Sequence, residues 1–264
     1  MNLQLQGKGV VIIGGSRGIG RAIALTCAAE GANVAICARG QEGLDNTVAE
    51  IRTHHVQAFG QIVDVTRKDA IKPFLAASAE ALGGIDILVN NVGGSRGKGL
   101  LNSTDEEWMG TFDLNLFHTV RASRAAIPYM RQRGEGSIII ISSISGYKPS
   151  PSIQYGSAKA AEIFLGQALA LELAPLHIRV NTICPGSVFF PGGGWEHTQQ
   201  QQPERFQHFQ SEEFPAGRLG TPEEIARVAA FLASPAASWV NGAMIAVDGA
   251  QQQPAMFHKG PLWR

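Results

Sequence analysis

The chain is poor in the groups that announce several common functions. It has three cysteines in 264 residues, Cys27, Cys37 and Cys184. They lie far apart, each inside an apolar segment, which predicts buried thiols rather than a disulfide framework. There is no CxxC and no Cys/His set at metal-ligand spacing; Glu196-His197 is an isolated pair, so no metal site is expected. Charge of one sign is also missing: 22 basic and 22 acidic residues give a formal net charge of zero. That argues against a nucleic-acid partner, which needs a basic excess or patch. No uninterrupted apolar run approaches the ~18 residues of a membrane span. The opening MNLQLQGKG has no secretory apolar core. A cytoplasmic protein without a membrane partner is the expectation. No internal repeat and no domain boundary stand out, so residues 1–264 are read as one domain.

What is present is a repeating alternation. Short apolar runs at 9–13, 33–38, 58–63, 85–89, 136–142, 178–183 and 243–247 read as strands. Helical spacing fills the intervals at 19–29, 44–54, 69–82, 105–130, 155–173 and 221–232. Strands alternating with helices predict an α/β fold: a single doubly wound Rossmann domain whose seven-stranded parallel sheet is covered by helices on both faces. Ligands in such sheets bind at the C-terminal ends of the strands. Gly14, Arg39, Asp64, Asn90, Ser143 and Pro185-Gly186 fall at those ends, so groups scattered in sequence are expected along one rim.

The first strand runs into GGSRGIG, with Gly14, Gly18 and Gly20 in a GxxxGxG spacing. Glycine allows a tight turn and close approach of a pyrophosphate to the helix N-terminus behind it, although a plain strand–helix turn has the same composition. About 20 residues on, NAD-binding folds place an acid for the ribose 2′-hydroxyl. Ala38 and Arg39 occupy that place here. Arg39, together with Arg17 in the turn, offers guanidinium groups to a 2′-phosphate, so NADP is expected over NAD unless both arginines are simply solvated. Asp64 could accept from an adenine amino group or cap the next segment. Asn90 and Asn91 could donate to a ribose or steady the strand end. Asn115 is unfavourable inside a helix, and either faces solvent or interrupts the helix for a purpose such as holding a water.

Ser143, Tyr155 and Lys159 carry the chemistry. Tyr155 and Lys159, at i and i+4, project from one helix face. A phenol alone is a poor acid near neutrality, and an adjacent ammonium favours its ionised form. A hydroxyl at the end of a strand can share the same substrate oxygen. Residues 187–217 break the alternation. This stretch is rich in aromatics (Phe189, Phe190, Trp195, Phe206, Phe209, Phe214), has three consecutive glycines at 192–194, and is read as a substrate lid with an apolar pocket or as a partner-facing insert. A Gln- and Pro-containing tail, 250–264, ends in an apolar PLW read as packing on a neighbour.

Over roughly residues 5–250 the chain resembles the one-domain short-chain dehydrogenases/reductases. The resemblance rests on GGSRGIG at 14–20, NNVG at 90–93, Asn115, SSISG at 142–146, Tyr155-x3-Lys159 and Pro185-Gly186. It implies an oxidoreductase that interconverts a ketone and a secondary alcohol with NADP(H). By that resemblance Ser143 and Tyr155 bind the substrate oxygen and Tyr155 passes the proton. Lys159 assists Tyr155 and holds the nicotinamide ribose, and Asn115 supports a water relay. The implied cofactor contacts are Gly14, Ser16, Arg17, Gly18, Ile19, Gly20, Arg39, Asp64, Val65, Asn91, Gly93, Tyr155, Lys159, Pro185, Gly186 and Val188. The family commonly forms homotetramers through the helices at 105–130 and 155–173 and the C-terminal strand region. Ile13 and Phe190 stand where the family usually has threonine. Leu176 replaces a basic residue of the 3-oxoacyl-carrier-protein reductases, leaving Arg131 and Arg133 as docking candidates for that alternative. A catalytically silent NADP sensor and a dehydratase or epimerase are the other readings.

Overall fold

The computed structural model describes residues 2–251. Seven strands form one parallel sheet in the order β3-β2-β1-β4-β5-β6-β7. They are β1 (Gly9–Ile13), β2 (Asn33–Ala38), β3 (Ala58–Ile62), β4 (Ile87–Asn90), β5 (Gly136–Ile141), β6 (Ile178–Pro185) and β7 (Met244–Val247). The order reverses between β1 and β4, so the connections leave these two strands in opposite directions and open a crevice at their C-terminal ends. β1 and β4 are buried at every position, as runs of Val, Ile and Leu in the middle of a two-sided sheet must be.

Two apolar layers cover the sheet. Val10, Ile12, Val34 and Ile36 face one layer with Ile23 of α1 (Gly18–Ala29) and Ala226 of α9 (Pro222–Ala233). Val11, Ile13, Ala35 and Leu88 face the other, with Phe74 of α3 (Ile71–Leu82) and Ala122 of α5 (His118–Arg133). The alternation of neighbours between the layers is the period-two pleat of the strands. Between β2 and β3 lies α2 (Gln41–Arg52).

The helix expected over 105–130 is in fact two. α4 (Asp105–Phe112) begins with a capping box in which Thr104 and Glu107 satisfy each other's backbone N–H. It passes into a π-helical turn, Asp113–Phe117, before α5 carries on to Arg133. Asn115 is the cause: its side chain donates to Gly94 O and to Thr111 O, both at 2.7 Å, taking a carbonyl of the preceding turn. α6 (Ile153–Leu173) starts two residues before Tyr155.

The segment 187–217 folds as α7 (Gly194–Gln201) and α8 (Pro203–Glu213). Its aromatics pack on one another. Phe206 and Phe214 are buried, with Phe189, Trp195 and Phe209 around them. The Trp195 and Phe209 rings stack at 4.4 Å. The apolar content of this stretch therefore builds its own small core. Of the tail at 250–264, the PLW read as a packing element lies outside the described residues.

Candidate active site

The Gly-rich turn is shaped by what it cannot hold. Gly14 (φ 89°) and Gly18 (φ 53°) occupy the left-handed region. A Cβ on Gly20 would lie 2.0 Å from Gly14 O, so α1 can approach the turn only with glycine there. α1 begins without a side-chain cap, and no acid sits in its first turn. Its free N–H groups and positive dipole end are left for an anion.

Beside this turn a cleft of about 290 Å³ runs along the strand ends. Gly14, Ser16, Arg17, Gly18, Ile19, Arg39, Asp64, Val65, Asn91 and Gly93 all line it, with Cys37, Ala38, Val92, Leu114 and Phe190. Arg17 and Arg39 are exposed at its rim. Asp64 is held below the usual carboxylate range, first by the Thr66 hydroxyl and then by the Thr66 N–H, with Arg39 adding a smaller pull. It therefore caps its own turn while lining the cleft. Asn91 spends its amide on Gly14 O at 2.7 Å, tying β4 to the glycine turn. Asn90 points inward, toward Ser123. A nicotinamide dinucleotide fits this donor set: open helix N-terminus, glycine cradle and two guanidinium groups at the rim.

The second cluster sits where β4, β5 and α6 meet. Ser143 follows β5 in extended conformation, and its Oγ accepts from Ser145 N at 3.1 Å. Tyr155 is half-buried on the first turns of α6, and Lys159 Nζ lies 5.6 Å from its ring centroid. Lys159 is buried; its Nζ donates to Ile141 O at 2.9 Å and to Glu162 Oε2 at 2.8 Å. Gly93 joins this cluster to the cleft. A Cβ there would stand 3.0 Å from both Lys159 Nζ and Asn115 Oδ1. Asn115 is buried, and its Oδ1 accepts from Gly94 N at 3.2 Å, so it clamps the loop that separates the two. Burial would lower the Lys159 ammonium, but attraction to Glu162 and Tyr155 outweighs it and the net direction is upward.

Pro185, Gly186 and Val188, at the end of β6, are not part of the cleft lining. They are fixed from another side: Ser187 N donates to Gln251 Oε1 at 2.7 Å, and Lys148 Nζ holds both Gln251 O (2.7 Å) and Glu213 of α8 (2.5 Å). Phe190 lies over the glycine turn, 2.8 Å from where a Gly18 Cβ would be, and Arg17 Nη1 donates to Gly192 O at 3.4 Å. Sequence reasoning noted Phe190 as a departure and as one of the aromatics of 187–217, and missed Glu162 and Gln251. The spacing of Glu162 from Lys159 signals a helical ion pair, but not its burial.

Arg133 does not reach this rim. Its Nε pairs with Asp86 at 3.0 Å, just before β4, and Leu176 packs on the core. A larger cavity of about 530 Å³ opens at that opposite edge, beside Lys8, Asp86, Glu135, Arg179 and Trp239. It contains none of Asn115, Ser143, Tyr155 and Lys159. Among the described residues no cluster of three potential metal ligands exists, and no helix is long and apolar enough to cross a membrane.

Comparison with known proteins agrees with this architecture. The family model described as enoyl-(acyl carrier protein) reductase matches residues 13–250. Isoepoxydon dehydrogenase of Penicillium expansum is 38% identical over 252 residues, covering 93% of this chain and 95% of that protein. A 3-oxoacyl-[acyl-carrier-protein] reductase of Thermotoga maritima is 34% identical, covering 94% and 98%. Among solved structures, L-sorbose reductase of Gluconobacter frateurii, complexed with NADPH and L-sorbose, superposes with a TM-score of 0.90 at 31% identity, covering 96% of this chain and all of that one.

Proposed function

Because the chain belongs to the short-chain dehydrogenase/reductase family, whose members oxidise alcohols or reduce carbonyls with a nicotinamide cofactor, we propose that it is an NADP(H)-dependent enzyme interconverting a ketone and a secondary alcohol. The observation that carries this reading is the meeting of Lys159 and Asn115 at Gly93, the residue shared by the cleft and the Tyr155 cluster.

When bound, the nicotinamide supplies or receives the hydride. The protein's part is positional and protonic. Ser143 Oγ and the Tyr155 hydroxyl hold the substrate oxygen, and Tyr155 gives it a proton in reduction or takes one in oxidation. Lys159 keeps a positive charge beside the phenol and donates to the nicotinamide ribose. Asn115 keeps the loop at Gly93 and Gly94 closed against Lys159, and supports proton return through water. Ser16, Gly18 and Ile19 receive the pyrophosphate, with Pro185, Gly186 and Val188 at the nicotinamide end. Arg17 and Arg39 take the 2′-phosphate, for which β2 ends without a competing acid.

Two measurements test this. With NADPH and a panel of ketones, Tyr155→Phe should lose about a hundred- to ten-thousand-fold in turnover while NADPH affinity stays within a factor of about two. Retained turnover ends the role of Tyr155. Arg39→Ala should weaken NADPH about tenfold or more and leave NADH unchanged. Equal loss for both cofactors overturns the NADP preference.

A homotetramer in the cytoplasm completes the proposal. Met109, Phe117, Phe164 and Leu171 are exposed apolar side chains on α4 to α6, a surface that monomers usually keep small. Light scattering checks the mass. The carrier-protein alternative rests on the Thermotoga relative and on the description of the family model; Leu176 packs on the core and Arg133 is paired to Asp86, which leaves the exposed Arg131 as its docking candidate.

A further inference from the structure

Glu162 stands one turn beyond Lys159 on α6, and the two side chains are 1% and 2% exposed. On a solvated helix such an i,i+3 pair contributes a few tenths of a kcal/mol at most. Here neither charge reaches water, so each depends on the other. An ammonium has three donors. Glu162 Oε2 and Ile141 O take two of them, which leaves the third for the side of Nζ that faces Gly93 and the cleft.

The other groups around Lys159 do not compensate its charge. From α5, His118 is buried and neutral, pushed down to about 3 by burial and by Lys159 itself, with Arg121 behind it. From β6, the Cys184 thiol is pushed up to about 12, chiefly by burial. Ser142, just past β5, and Asn115 from the π turn are uncharged. Tyr155, on α6 itself, is the acid whose proton is in play. Burial raises the Glu162 carboxyl and Lys159 opposes that rise.

We propose that Glu162 is a positioning residue: its carboxylate keeps Lys159 an ammonium inside the protein and takes one of its three donors while Ile141 O takes a second, so that the third is aimed at the cofactor ribose and the Tyr155 oxygen. The inference rests on the proposed function only for that last, catalytic consequence.

Glu162→Gln tests it, keeping shape and an acceptor oxygen while removing the charge. NADPH Kd and urea unfolding are measured from neutral pH toward the ordinary lysine pKa of about 10.4. In Glu162→Gln the ratio of its Kd to that of the natural chain should grow about tenfold or more across that range, as Lys159 gives up its proton. Its stability relative to the natural chain should rise with pH, because the unfolded chain then binds the more protons. Glu162→Asp should restore the natural pH dependence, and Lys159→Met/Glu162→Gln should lack the added slope. A Glu162→Gln variant offset from the natural chain by the same factor at every pH would mean a packing role and overturn the proposal. If that variant does not fold at neutral pH, recovery in alkaline buffer supports the proposal and failure to recover overturns it. Should the natural chain bind no NADPH, the proposed function falls, while the unfolding slope still decides the role of Glu162.

Discussion

The two ends of the sheet each bury a carboxylate, and they treat it differently. At the N-terminal edge Asp86 receives Gly9 N at 2.7 Å and Arg133 Nε at 3.0 Å, with Lys8 Nζ at 3.7 Å. Both cations are partly in water. At the cleft edge Glu162 meets one fully buried cation, Lys159, which faces the cleft as well. The first carboxylate locks β1 to β4 with donors to spare. The second is in balance with a group that has other work. A surplus of cations makes a site rigid and insensitive; a single shared cation makes it responsive to the protonation of that cation.

Removing Lys159 is the strongest way to break this contrast. Lys159→Met strands the Glu162 carboxylate, and a loss of about 3–5 kcal/mol is expected at neutral pH. The sign of the pH dependence is set by Glu162, whose folded-state pKa is already raised by burial. A carboxyl raised on folding favours the folded state below its unfolded pKa and loses that contribution as pH rises through the folded value. Lys159→Met should therefore be most stable in acid and weaken toward neutrality. Lys159→Met/Glu162→Met should recover most of the loss, since an apolar pair of similar volume replaces a buried ion pair at little cost. Chemical denaturation of the two variants reads both numbers. A single variant as costly in acid as at neutral pH would place the loss in packing.

At the other edge the same kind of change should be milder. Asp86→Asn keeps an acceptor for Gly9 N and loses charge toward two cations that can turn to water, for about 1–3 kcal/mol. NADPH binding should be unaffected, because Asp86 lies across the sheet from the cleft. An Asp86→Asn variant that unfolds as readily as Lys159→Met would erase the distinction between the two ends.

The contrast also marks what could be read from residues alone. β1 and β2 were legible to the residue, because each is a short apolar run bounded by turn-forming residues, too short for a helix. The cleft was legible through Gly14, Gly18, Arg17 and Arg39, whose spacing fixes them to two adjacent strand ends. The break in the long helix was half-visible. Asn115 signalled an interruption, but its bonds to Gly94 O and Thr111 O depend on a loop 21 residues away. The packing of the aromatics of 187–217 was not legible, since composition cannot say whether apolar rings face a ligand or each other. Glu162 escaped notice because an acid and a lysine at helical spacing ordinarily describe a wet surface; only burial by β5, β6 and the π turn changes its meaning.

A solvated carboxylate at the cleft edge supplies the smallest effect and the sharpest control. Glu224 sits in the first turn of α9, next to the bridge between Val188 and Gly220. It accepts from both terminal nitrogens of Arg218, at 2.7 and 3.0 Å, and from Thr221 N at 2.8 Å. These bonds, the Arg218 pair first, bring its pKa down to about 2 from 4.5. A carboxyl lowered on folding contributes stability above its unfolded pKa and loses it as pH falls through the folded one. The Glu224 contribution is thus complete at neutral pH and disappears between about 4.5 and about 2, the reverse of the Glu162 dependence. Arg218 is well exposed, so solvent screening keeps the contribution of the pair small. Glu224→Gln should lower stability by that small amount at neutral pH and by nothing at the acid end, with NADPH affinity unchanged. A loss comparable to that of Lys159→Met would mean that depth of burial is not what separates the carboxylates of this protein.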